Sequence, residues 1–475
     1  MILLPRYLGR LADLVAMTTP IQFCTELYEE HLAEASFLYA QRLACAHNPE
    51  ITWLNLDNWE GRVEAHLDAL VIGADLALEV CKQRCVAGDF GEIHTAMRVF
   101  CRQDRSDLAY AVLQNIDTAE EPIVQGVIDA LKTECPTGWH DDLLRIMLGK
   151  AKQLVPALAE TLAYRRVAFE DTLLRVLPNC EEERLPRVLR ALGQVGTDQA
   201  RAVLATHLRS ENSAVAEAAC RGLTRLGDYQ ALRHGLLVAQ LRPWPIAALG
   251  VGGDYTAVNV LTDLAKSDKV SDDALLALGM LGDLRSVSTI FNCLANPERA
   301  MAAAIALQTI TGAALIEDTF IPEKVNPDEL FDDERKKYEE TGEGPKSADG
   351  KPYGAKVTQL SINPATWRAW LNEHKARFDP KLRYRHGKPM SPAASLEALQ
   401  DEHTPNRVRA LICEELIVRY RANVTLEVDM PVREQRKHLA DLANWVQSNG
   451  QKFAPGVWHF AGRPMKDPAM PGAPR

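Results

Sequence analysis

Between Ala191 and Gly312 the apolar and polar positions follow one rule five times: a small-apolar helical run, a closing glycine, and a polar opening to the next run. The runs read ALGQVG, GLTRLGD, AALGVGGD, ALGMLGD and ALQTITG. They close at Gly196, Gly227, Gly253, Gly282 and Gly312, at intervals of 31, 26, 29 and 30 residues. That period is two helices long. Glycine enters the left-handed conformation that stops a helix, and an acid after it caps the next one. Asp228, Asp254 and Asp283 directly follow their glycines, and Asp198 stands two beyond Gly196. Each acid then opens an amphipathic stretch, such as Leu232, Leu236 and Leu237, or Val258, Leu261 and Leu264. This three-to-four spacing puts apolar groups on one face that a second helix must cover. The second helices are rich in small residues, Ala214, Ala216, Ala218 and Ala219 or Ala302, Ala303, Ala304 and Ala306, which lets units stack into one core. Ala313 replaces the capping acid after Gly312, so the stack is expected to end there.

Around the repeats the periodicity is helical but less regular. One long helix is expected through ELYEEHLAEASFLYAQRLACA. A second is expected from Asp57 through NWEGRVEAHLDALVIGADLALEVCKQRC, with Trp59, Val63, Leu67 and Leu70 on one face. Gly88 and Gly149 resemble eroded repeat ends. Downstream, Asn363 and Pro364 offer a cap and a first-turn proline, and Thr404 and Pro405 start another helix. The helix NRVRALICEELIVRYRA and the segment REQRKHLADLANWVQSNG, ended by Gly450, are expected to cover the end of the stack. The expectation is an all-α, HEAT-like helical-repeat solenoid with a small helical C-terminal cap. Its segments are an N-terminal helical region of degenerate repeats over 1–150, the regular solenoid over 151–316, an acidic flexible insertion over 317–360, and the cap and tail over 361–475.

Charge changes the picture in one place. Glu317 to Asp349 holds twelve acids and five bases, a net of −7 out of the −10 of all 475 residues, with Pro, Gly and little periodicity. It reads as a solvated linker, or as an acidic arm anchored by Phe320, Leu330 and Phe331 that engages a basic partner. The opening MILLP is followed by Arg6, Arg10 and Asp13, and no run reaches roughly 18 apolar residues, so a cytoplasmic protein without a membrane span is expected. Ten scattered cysteines then read as buried free thiols.

Catalytic signatures are missing: there is no HExxH, no GxSxG and no dinucleotide glycine fingerprint, and GEGPKS at Gly342 to Ser347 has proline where a phosphate loop needs glycine. The pairs Glu30–His31, Glu373–His374 and Glu402–His403 lie outside the repeats at unrelated spacings and read as surface polar residues, while His66 and His94 read as packed or capping. No cofactor and no metal are implied. Arg383, Arg385, His386 and Lys388, with Tyr384 among them, form the best candidate anion-binding turn; a structural role, pairing with helix ends and neighbouring acids, is favoured. Without a basic stripe, nucleic acid is disfavoured as a partner.

Four segments resemble a family as a set: EEHLAEASFLYAQR, DNWEGRVEAHLDALVIGADLALE, the glycine-ended repeats, and WRAWLNEHKARFDPKLRYRHGKP with an arginine-rich helix after it. The repeats alone are similar to short HEAT-like repeats of bacterial scaffold proteins and phycobilin lyases. The whole chain, apart from the acidic stretch, resembles an uncharacterised bacterial family of HEAT-repeat proteins often encoded beside type VI secretion and polymorphic-toxin genes. That resemblance implies a cytosolic immunity protein that neutralises a cognate toxin or effector by stoichiometric binding. The alternatives are an effector-loading adaptor or a HEAT-repeat enzyme such as a lyase or DNA glycosylase. Aromatic and arginine side chains supply most interface energy. The nominated partner-binding residues are therefore Trp244, held between Pro243 and Pro245 either outward or filling the core, and Arg190, Arg221, Arg225, Asp272 and Asp273 on second helices.

Overall fold

Capping and glycine placement decide where this chain stops and restarts its helices, and a computed structural model gives the result for residues 19–48, 51–149, 151–267, 272–323, 325–327, 330–347 and 350–465. The chain runs through α1 (Pro20–His47), α2 (Asp57–Ile72), α3 (Ala74–Ala87), α4 (Phe90–Arg102), α5 (Ser106–Asn115), α6 (Glu121–Glu134), α7 (His140–Leu148), α8 (Val155–Tyr164), α9 (Glu170–Val176), α10 (Leu185–Val195), α11 (Asp198–His207) and α12 (Ser213–Arg225). It continues with α13 (Tyr229–Val238), α14 (Ile246–Gly252), α15 (Tyr255–Ala265), α16 (Asp272–Leu281), α17 (Val287–Cys293), α18 (Ala300–Thr311), β1 (Ile316–Pro322), α19 (Asp332–Thr341) and β2 (Gly354–Leu360). The last elements are α20 (Pro364–His374), β3 (Tyr384–Arg385), β4 (Lys388–Pro389), α21 (Pro392–Gln400), α22 (Asn406–Tyr420), α23 (Val432–Asn449), β5 (His459–Phe460) and β6 (Arg463–Pro464). The fold is thus mostly helical, and among the described residues no helix is long and apolar enough to cross a membrane.

Packing divides the chain into two units. The first takes in Met1–His47, Trp53–Ala231 and Thr425–His438; the second takes in Asn48–Thr52, Leu232–Val424 and Leu439–Arg475. These limits follow contacts rather than the composition shifts near 150, 316 and 360. In the first unit every second helix packs on the next: α4 on α6, α6 on α8, α8 on α10, and α10 on α12. In the second, α14 packs on α16 and α16 on α18.

Small residues set these approaches. A Cβ on Gly193 of α10 would collide with the Gly222 backbone of α12. One on Gly250 would lie 2.8 Å from Ala277 Cα, and one on Gly279 would lie 2.8 Å from Ala306 Cα. Leucines are buried beside these contacts, Leu192 and Leu223 in the first unit and Leu249, Leu278 and Leu307 in the second.

Several expectations are refined. Gly227, Gly282 and Gly312 have the left-handed φ of 84°, 69° and 62°, but Gly196 and Gly253 end their helices in extended backbone. Close approach requires glycine there: a Cβ on Gly253 would sit 2.6 Å from that of Ala257, and one on Gly196 would collide with Ala200. Asp228, Asp254 and Asp283 accept backbone N–H bonds as caps, from Gln230, Thr256 and Arg285. Asp198 does not. It lies in the first turn of α11, whose N–H groups at Thr197 and Ala200 are taken by Glu170 of α9, both at 2.9 Å.

The helix expected from Asp57 onward is broken at Gly73, where the Tyr28 ring occupies the space a side chain would need and Ala74 turns to a φ of 45°. The acidic stretch expected as a flexible insertion holds an antiparallel ribbon, β1 on β2, in register from Ile316↔Leu360 to Pro322↔Gly354, with α19 between. The β-branched Ile316, Thr319, Ile321, Val357 and Thr358 favour strands, but their partners lie about 40 residues away, beyond any local pattern.

The C-terminal segments cover the second unit's helices: α22 packs on α14 and α16, and β3 on α18. The glycines make seats for the β3–β4 turn. Tyr384 N–H donates to Gly282 O at 2.8 Å, His386 N–H to Thr309 O at 3.0 Å, and Gly387 N–H to Ile310 O at 2.9 Å.

Candidate functional site

The first unit holds a recess of about 270 Å³ whose polar side chains come from five helices and one returning segment. Helical three-to-four spacing aims each set at it: Tyr39 and Arg42 on α1, Glu60 and Glu64 on α2, His94 and Arg98 on α4, Asp129 and Lys132 on α6. Tyr164 closes α8, and Asp429 and Arg433 arrive from the segment before and at the start of α23.

The charges are engaged with one another. Arg42 Nε donates to Glu60 Oε1 at 2.7 Å, and its Nη2 donates to the carbonyls of Asp429 and Met430. The second Glu60 oxygen accepts the Val432 N–H at 2.6 Å, at the N-terminus of α23, where a carboxylate is favoured. Arg98 Nη2 is shared by Glu64 and Glu134 at 2.7 and 2.6 Å, and Arg102 Nη2 bridges the same two carboxylates. Burial alone would raise the Glu64 and Glu134 carboxyls, but the Arg98 and Arg102 guanidiniums outweigh it and hold both below the usual carboxylate range.

Lys132 is buried, with Nζ 2.8 Å from Glu160 and 3.7 and 3.8 Å from Asp129 and Asp429. Burial works against its charge, and these three acids more than restore it. Tyr39 donates to Asp129 at 2.8 Å and Tyr164 to Asp429 at 3.0 Å. Burial, and then the neighbouring acids, push both phenols up. His94 stacks on Tyr39 with centroids 3.6 Å apart; burial, then Arg98 and Arg42, push its imidazole well down, so it is neutral. Its Nδ1 and Arg98 Nε have no protein hydrogen-bond partner. The result is a polar recess whose charged side chains are engaged with one another.

The nominated residues lie elsewhere, and none lines this recess. Trp244 is 7 % exposed and packed near His234, so its indole fills the second unit's core and is not held outward. Arg190 and Asp272 are exposed and Arg225 is half-buried; Arg221 pairs with Glu217 at 3.6 Å, and Asp273 pairs with Arg407.

At the candidate anion-binding turn, the arginines pair with helix ends. Arg383 and Arg385 are 2 % and 0 % exposed and bond the carbonyls that end α16: Arg383 Nε to Leu281 O at 2.7 Å, Arg385 Nη2 to Met280 O at 2.7 Å. His386 is mostly buried beside Asp401, and burial pushes its imidazole down to about 4. Only Lys388 faces solvent, paired with Glu397 at 2.5 Å. Basic residues at a turn read the same whether they face water or helix ends, which is why sequence alone left both readings open.

His31 and His66 bring their Nδ1 atoms to 2.9 Å. Among the described residues, no group of three or more His, Cys, Asp or Glu is placed to hold a metal ion.

No family model and no curated protein matches the chain. Among solved structures, an engineered protein determined by the Northeast Structural Genomics Consortium aligns over 93% of this chain and 99% of its own, at 13% identity and a TM-score of 0.27. So low a score carries no argument about the fold.

Proposed function

We propose that this protein is a HEAT-like helical-repeat scaffold that works by stoichiometric binding of a partner protein, as a cytoplasmic immunity protein that neutralises a toxin effector. The recurring small-residue contacts at Gly193, Gly250 and Gly279 support the repeat reading, because stacked units need the same close approach in each. The observation that carries the binding reading is the recess of the first unit. Its charges are fixed against one another before anything enters, and its volume of about 270 Å³ lies just under the roughly 300–1,000 Å³ of small-molecule pockets. A recess of that size suits one protruding polar side chain of a partner, and preorganised walls make that contact inexpensive in entropy. The immunity role rests on the sequence resemblance.

The test is co-expression of the full chain with the products of the genes flanking its own, with growth and complex stoichiometry recorded. A one-to-one complex with rescued growth supports the proposal. Arg433→Glu, at the half-exposed mouth, should then weaken the complex at unchanged melting temperature. A complex with secretion-spike components and no rescue would replace immunity by the adaptor reading.

A further inference from the structure

In the second unit, four fully buried ionisable side chains meet with unequal charge. Glu415 is 0 % exposed and is approached by Arg385 at 3.0 Å, Arg419 at 3.2 Å and Arg383 at 3.9 Å. Helix dipoles supply part of the missing negative charge. Arg383 and Arg385 bond the last carbonyls of α16, and Arg419 Nη2 bonds Gly253 O just past α14, at 3.0 Å. These contacts give every Arg419 nitrogen a partner, since Nη1 also donates to His459 O and Nε to Glu415. The other side chains are less fully engaged. Arg383 Nη1 and Nη2, Arg385 Nε and Tyr420 Oη are buried without a hydrogen-bond partner.

The surroundings carry the same imbalance. The Arg383 guanidinium lies 3.8 Å from the centre of the Trp458 indole, whose π face is a soft partner for a cation. His459 is pushed down by burial and by Arg383 and Arg419. Tyr420 is pushed up to about 12 by burial, so its hydroxyl stays protonated as a free donor. Three guanidiniums, one carboxylate and a neutral phenol leave excess positive charge and several orphan donors in a water-excluded place. Such groups are strongly destabilising unless an acceptor engages them.

We propose that this cluster binds one small monovalent inorganic anion of the chloride class, held by the Arg383 Nη edge, Arg385 Nε and Tyr420 Oη. The anion neutralises the cluster and ties the β3–β4 turn, α22 and β5 to the ends of α14 and α16. This is a buried structural site, unlike a surface turn reading phosphate, and it is independent of the function proposed above.

The experiment is thermal and urea unfolding of the full chain in sodium chloride and in sodium gluconate at matched ionic strength. Above the dissociation constant, each tenfold rise in chloride should multiply the folding equilibrium constant by about ten, with no such response to gluconate. Tyr420→Phe, which keeps the ring and removes the hydroxyl, should weaken the response. Arg383→Met should abolish it, and should come closer to the parent's stability in gluconate than in chloride. Crystals soaked in bromide should show an anomalous peak at Arg383. Superimposable chloride and gluconate curves for the parent chain, or a chloride response unchanged in Tyr420→Phe and Arg383→Met, would overturn the proposal, and should Arg383→Met fail to fold, the parent and Tyr420→Phe decide it.

Discussion

Adding one methyl group at Gly250 tests whether the helix rows are set by backbone approach. In Gly250→Ala the new Cβ would lie 2.8 Å from both Cα and Cβ of Ala277 and 3.3 Å from its carbonyl oxygen. Carbon atoms in good contact sit at about 3.5–4.0 Å, so the overlap is about 1 Å. None of those atoms can rotate away, and α14 and α16 must separate. Overpacking of this kind costs about 1–3 kcal/mol, and a gap of 0.5–1 Å along the rest of the interface forfeits a quarter to a half of each contact there. Against this stands the gain of up to about 1 kcal/mol from replacing a helical glycine by alanine. The expected net is a loss of about 1–2 kcal/mol, or about 2–8 °C in melting temperature for a unit of 150–250 residues. Gly61→Ala is the internal control. Nothing lies within 4 Å of its Cβ on α2, so the same substitution should stabilise by about 0.5–1 kcal/mol. In a urea-unfolding cycle, Ala277→Gly should recover part of the Gly250→Ala loss, a favourable coupling of about 0.5 kcal/mol or more. If Gly250→Ala stabilised the chain as Gly61→Ala does, the close-approach argument would be wrong.

Two further substitutions probe the ends of helices. Glu170→Ala removes the carboxylate that takes the Thr197 and Ala200 N–H groups of α11, and should cost about 1 kcal/mol in urea unfolding, whereas Asp198→Ala should cost less. Acid sensitivity follows from His386, whose folded value is lowered to about 4 by burial. Between about pH 6.5 and pH 4 the unfolded chain binds a proton there that the folded chain refuses, so stability falls as pH falls, by up to about 3 kcal/mol. His386→Asn, with a residue tolerant of the φ of 47°, should flatten the stability–pH curve across that window.

The helix ends around the closing glycines were legible because their signals are neighbours in sequence: run, glycine, acid, run. Even there the chain hid its reasons, since Gly196 and Gly253 are required by side chains four residues on and not by a left-handed φ. The recess was not legible. Its residues recur at three-to-four spacing on α1, α2, α4 and α6, a signal indistinguishable from a solvated helix face until Asp429 and Arg433 arrive some 300 residues later to close it. Trp244 and the arginines of the β3–β4 turn each stayed open between two readings for a related reason. Residue type proposes a contact, but only burial tells whether water, a partner or the protein's own helix ends receives it.

The seating of the β3–β4 turn also has a consequence for biosynthesis. The carbonyls that end α14 and α16 wait for Arg419 and Arg383, which follow in the chain by 166 and 102 residues. On a ribosome adding about 5–20 residues per second, those helix ends stay open to water and to other chains for seconds to tens of seconds after they emerge. Contacts of such sequence separation form slowly. A nascent or prematurely terminated chain lacking residues beyond about 380 would therefore present unsealed helix termini, and quality-control proteases and chaperones should act on that intermediate far more than on the finished protein.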